Sequence, residues 1–144
     1  MKKVVVIDGQ GGKLGRLLIE RLKATVAADA SRSFEIVAIG TNSIATSTML
    51  KAGADYGATG ENPVLVNCRD ADVVIGPIGV IATDALHGEV TAAMAVAVGA
   101  SSAHKILLPT SSCRISVIGV SPVPTSELIN LAVHRIFELI SGDK

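Results

Sequence analysis

A run of β-branched side chains, Val4-Val5-Val6-Ile7, leads straight into Asp8-Gly9-Gln10-Gly11-Gly12-Lys13-Leu14-Gly15. The run reads as a fully buried strand. After the glycines, Leu14, Leu17, Leu18, Leu22 and Val26 recur at helical spacing, and Lys13, Arg16, Glu20, Arg21 and Lys23 fill the other face. This predicts an amphipathic helix from about Gly12 to Ala28. A strand that turns through glycines into a helix leaves bare N–H groups and a partial positive charge at the helix start.

The pattern repeats along the chain. Phe34 to Ile39 reads as a second strand, followed by Thr41-Asn42-Ser43 as helix caps and a short helix from Ile44 to Ala52. Ala54 to Asn62 reads as a loop and Val64-Leu65-Val66 as the third strand. Asp72 to Ile75 is the fourth, ended by Gly76-Pro77. Ile78 to Gly88 holds at most a helical turn, and Thr91 caps an Ala- and Val-rich helix ending at Gly99. His104 to Leu108 and Ile115 to Val120 are the fifth and sixth strands, and a last helix runs from Thr125 to about Ile140.

Alternating strands and helices predict right-handed crossovers and an α/β fold. The expectation is a single Rossmann-like domain over residues 1–144. Its mostly parallel sheet has five or six strands with helices on both faces. Strands five and six lack a helix between them, so one of them is expected as an antiparallel edge. Hydrophobic residues make up 49% of the chain and aromatics only 2%, so the core must be aliphatic, as in parallel strands buried on both faces.

Charge narrows the function classes. Thirteen basic residues balance thirteen acidic ones, which disfavours nucleic acid, as does the scarcity of aromatics for base stacking. The longest apolar stretch, Val90 to Ala100, is too short to span a bilayer. Cys68 and Cys113 form neither a metal spacing nor a CxxC pair, and Met1-Lys2-Lys3 leads directly into a strand. Free thiols in a reducing cytoplasm are expected.

The candidate ligand site comprises Asp8, Gly9, Gln10, Gly11, Gly12 and Gly15 from the first loop, with Gly76, Pro77, Gly79 and Asp84 from a second. Backbone N–H groups at Gly11, Gly12 and Gly15 would hold an anion. Strands one and four are expected as neighbours at the switch point, where ligands of doubly wound sheets bind. The alternative is that these glycines serve only tight packing between strand and helix. For acid–base chemistry the candidates are Asp8, Asp84, His87 and Arg69, with Glu89 beside His87. Thr110, Ser111 and Ser112 offer hydroxyls at the same sheet edge. The loop is not a P-loop, since Leu14 follows Lys13 where Ser or Thr is required.

Through Gly9, Gly12 and Gly15 the loop has the GxxGxxG form and resembles that of the extended short-chain dehydrogenase/reductase superfamily. The resemblance implies a nucleotide ligand, NAD(P) or another. It stops short of a catalytic site, because Tyr56 has Gly60, not Lys, four residues on. Asp8 replaces a neutral residue, and Gly40-Thr41-Asn42 lacks an acid for a ribose. The whole chain resembles a bacterial family described as a domain of unknown function. The matching residues are Val5 to Gly12, Asn67 to Asp72, Gly76 to Gly79 and Gly88 to Thr91.

Three functions follow as expectations: a domain binding a nucleotide or other anionic metabolite, a small enzyme using the same crevice, or a non-catalytic homo-oligomeric module with structural glycines. A second apolar stripe on the last helix, Ile129, Val133, Phe137 and Ile140, suggests self-association.

Overall fold

The computed structural model describes residues 1–110 and 113–142. Its elements are β1 (Lys3–Asp8), α1 (Lys13–Ala28), β2 (Glu35–Gly40), α2 (Ser43–Lys51), β3 (Tyr56–Thr59), α3 (Glu61–Asn67), β4 (Val73–Pro77), a 3₁₀ turn (Ile78–Ile81), α4 (Ala92–Ala100), β5 (His104–Leu108) and α5 (Thr125–Ser141). The strands form one parallel sheet in the order β3-β2-β1-β4-β5. The chain therefore reverses its winding between β1 and β4.

Alternation along each strand feeds two cores. Val4, Val6, Ile36, Ala38, Val73 and Ile75 face α1, α2 and α5 through Leu18, Leu22, Met49 and Ile136. Val5, Ile7, Val37, Ile39 and Val74 face α3 and α4 through Val64, Met94 and Val98. Central strands covered on both sides have no polar face to keep, which is why β1 reads as an unbroken apolar run.

Two expected strands are corrected. Val64 to Val66 lie in α3, not in a strand. Only Val64 of that helix is buried, and Val66 is 43% exposed. The third strand is instead Tyr56–Thr59, expected as a loop. It is an edge strand with Tyr56 and Gly57 exposed, so it carries no apolar run to read. Ile115 to Val120 form no strand. The Val120 N–H instead closes a turn onto the Val117 carbonyl at 3.2 Å. The β-branched run has the propensity, but it does not pair with the sheet. No antiparallel strand occurs among the described residues.

The second stripe of α5 is used within the chain. Ile129, Val133 and Phe137 are buried, and Phe137 meets Phe34 edge to face at 5.5 Å between ring centres.

Helices α3 and α4 run side by side, pinned at both ends. The Thr91 hydroxyl accepts the Met94 N–H at 3.2 Å and donates to Glu61 at 2.7 Å. The Ser101 hydroxyl donates to the Cys68 carbonyl at 2.6 Å. Thr91→Ala will lower stability by about 1 kcal/mol through loss of the cap, and Thr91→Ser will restore most of it. Urea unfolding of the three proteins measures both. Equal midpoints for alanine and wild type would refute the capping role.

Candidate functional site

The loop after β1 is built by its own sequence. The Gly12 N–H bonds back to the Gly9 carbonyl at 2.9 Å, and the Gly12 carbonyl accepts Arg16 N–H as the first bond of α1. Gly12 takes φ +74°, and a Cβ there would lie 2.9 Å from the Ala45 backbone. Only glycine meets both demands.

Asp8 is 6% exposed. Its carboxylate accepts the Gly9 N–H at 2.8 Å and the Gly15 N–H at 2.7 Å. Burial pushes this carboxyl above its ordinary value, against the Gly15 and Gly9 amides, and the Glu89 charge adds to the rise. Asp8 thus ties β1 to the first turn of α1 from within.

Glu89 does the same from outside. One carboxylate oxygen accepts Gln10 N–H at 2.9 Å, Thr41 Oγ1 at 3.0 Å and Asn42 Nδ2 at 3.1 Å, and the other accepts Asn42 Nδ2 at 2.9 Å. Burial raises its pKa. The Gln10, Asn42 and Thr41 hydrogen bonds together outweigh that and leave it below the ordinary value, helped by His87. Asn42 also caps α2 through Ala45 N–H and donates to the Gln10 carbonyl at 2.8 Å. The acid missing from the end of β2 is therefore supplied by the segment before α4.

Two of the three amides expected to hold a ligand are engaged: Gly15 by Asp8 and Gly12 by Gly9. Among the described residues, no group accepts a hydrogen bond from the Gly11 or Lys13 amide. These two border a cleft of about 260 Å³ lined by Asp8, residues 9–14, Leu17, Pro77, Leu86, Thr110 and Thr125. The first loop and Pro77 share this rim, because β1 and β4 are paired.

The remaining candidates lie elsewhere. Gly76 packs on the Ile7 backbone and Gly79 beside the Cys113 thiol, and neither lines the cleft. Asp84 and His87 are exposed at φ +65° and +56°. Arg69 lies in a groove between α3 and α4. Thr110 reaches the cleft, while Ser111 and Ser112 fall outside the described residues. Cys68 and Cys113 are unpaired. Among the described residues no group of three or more His, Cys, Asp or Glu is placed to hold a metal, and no helix is long and apolar enough to cross a membrane.

Sequence reasoning missed the contact of Glu89 with the loop. An exposed Gln10 amide and two side-chain donors, Thr41 and Asn42, call for an acceptor. Nothing local indicates that it comes from 79 residues away.

Glu89→Gln will lower stability by about 1–2 kcal/mol, since hydrogen bonds to a charged acceptor are stronger than to a neutral one. Because its folded pKa lies below 4.5, the charged form's contribution is complete above that pH and is lost as pH falls through the folded value. The gap between wild type and Glu89→Gln will close on acidification. Urea titrations across acid pH test this, and a constant gap would count against it.

A parallel sheet wound both ways from β1, with a glycine turn opening α1 at the switch point, defines a Rossmann-like α/β domain. The chain belongs to the family described as "Domain of unknown function (DUF3842)", which matches residues 3–141. No curated protein and no solved structure matches it.

Proposed function

We propose that the chain binds a compact anionic metabolite, one carrying a phosphate or carboxylate, in the cleft over residues 9–14. The observation that carries this reading is the pair of amides at Gly11 and Lys13, which have no acceptor among the described residues and border an open cleft. The Lys13 side chain is exposed and forms no ion pair among the described residues. Thr110 and Thr125 add hydroxyls on the same wall. Amides at a helix start together with one cation suit an anion.

A compact ligand is favoured over a dinucleotide such as NAD(P). The cleft of about 260 Å³ is below the roughly 300–1,000 Å³ typical of larger ligands. The Glu89 carboxylate already fills the crossing from the glycine turn to Thr41 and Asn42. The enzyme reading gains less support, since Asp84, His87 and Arg69 are not brought to the cleft. Free thiols suit a reducing cytoplasm.

A thermal-shift panel tests the reading, using inorganic phosphate, sugar phosphates, dicarboxylates, mononucleotides, NAD and NADP. A compact anion at 100 times its Kd should stabilise the fold by about 2.7 kcal/mol. Lys13→Ala should weaken it about tenfold, the worth of one good charge-assisted contact. Stabilisation by no compound, or equal stabilisation of Lys13→Ala, would overturn it.

A further inference from the structure

Helix α4 has the sequence Ala-Ala-Met-Ala-Val-Ala-Val-Gly-Ala, without one charged, hydroxyl or amide side chain. Only Met94 and Val98 are buried. Val96, its middle residue, is 67% exposed. A helix apolar on every side is a buried helix, yet this one has its outer face in solvent. Beside it runs a groove of about 540 Å³, floored by Leu65, Ala93, Ala97 and Ala100. Val66 on α3 is also exposed.

The charges around this face are arranged by end. Thr91 bonds Glu61, and Ser101 bonds the Cys68 carbonyl, so the two helices have their N-terminal ends together and their C-terminal ends together. Glu61 marks the N-terminal end. Arg69, just beyond the end of α3, and Lys105, bonded to the Ser101 carbonyl at 2.7 Å, mark the C-terminal end. Neither Glu61 nor Arg69 has an ionic partner among the described residues. The neighbouring acid, Asp70, is matched by Lys3 at 2.8 Å.

We propose that this face is the interface of a two-fold homodimer, with α3 and α4 of one copy lying antiparallel on α3 and α4 of the other. A two-fold axis passing near Val96 reverses the helix pair end for end. It sets Glu61 of each copy opposite Arg69 of the other, and brings the two Val96 side chains together across the axis, flanked by the alanine-lined grooves. Such an interface is self-complementary, as an isologous contact must be. It removes the apolar face from water and opposes the helix dipoles. A second copy is the occupant that the charge order selects, because acid and base sit at opposite ends of one face. The cleft over residues 9–14 is lined by other residues, so the dimer does not depend on the ligand reading.

Sedimentation equilibrium of the full chain tests it. The wild type is expected to be dimeric, and Val96→Asp to raise the dissociation constant at least about 30-fold, as for a central interface residue. Its circular dichroism should stay unchanged, since Val96 faces solvent in one chain, and its unfolding midpoint should lose the concentration dependence that a dimer gives the wild type. Arg69→Glu should weaken the dimer, and Glu61→Arg with Arg69→Glu should restore it. A monomeric wild type at about 100 µM, a regime where even weak specific pairs form, would overturn the proposal. So would a dimer indifferent to Val96→Asp, or a charge reversal that gives no recovery.

Discussion

Asp8→Ala is expected to remove about 3 kcal/mol of folding stability and to lower the melting temperature by about 10 °C. The substitution leaves the Gly9 and Gly15 N–H groups, both bonded to the Asp8 carboxylate, without acceptors in a buried site. Each orphaned donor costs about 1–3 kcal/mol, and release of the buried carboxyl offsets part of the sum. Urea unfolding followed by circular dichroism measures it. A loss under about 1 kcal/mol would show that solvent satisfies those amides. Asp8→Asn keeps the volume and one acceptor but turns an amide N–H₂ toward a donor, so its loss should be about half. The pH dependence separates these variants further. The folded chain holds the Asp8 proton more tightly than the unfolded chain, whose carboxyl titrates near 3.8. That extra stabilisation is complete below pH 3.8 and is lost as pH rises through the raised folded value. Wild type should therefore lose ground to Asp8→Asn as pH rises through that window. The sign is opposite to that of Glu89, although both carboxylates hold the same loop.

Gly76→Ala should be about as damaging, at roughly 3 kcal/mol. Gly76 lies in β4, and a Cβ there would run into the Ile7 carbonyl oxygen of β1. A backbone atom in a central strand cannot step aside without opening the β1–β4 seam. Gly79→Ala is the control. The Cβ there would meet a side-chain atom, the Cys113 sulfur, 2.5 Å away. That thiol is only partly buried and can turn, so the loss should be about 1 kcal/mol or less. Equal losses would mean that strand spacing is not what Gly76 protects.

These two positions also show what can be read from residues in order. An acid directly before a glycine turn was legible as part of the loop, and the pairing of the first and fourth strands follows from winding rules. The direction of the Asp8 carboxylate was not legible. Expected to meet a ligand, it meets the amides of its own loop, because burial leaves a carboxylate no nearer donors. β1, α1, β2, α2, β4, α4, β5 and α5 were readable because each carries an apolar run or stripe, bounded by turn or cap residues. Tyr56–Thr59 was not, since an edge strand half in water needs no such face. Val64–Val66 misled because three apolar residues fit a strand or a helix equally. Ile115–Val120 misled because β-propensity alone does not decide whether a segment pairs with a sheet.

The central place of β1 has a consequence during synthesis. It is made first, yet one of its two neighbours, β4, is completed only at Pro77. Until then a half-sheet of β3, β2 and β1 with α1 and α2 can assemble while β1 keeps an unpaired edge of backbone N–H and C=O groups. A growing chain thus exposes a strand edge to other nascent chains until β4 has been made and released to pair with it.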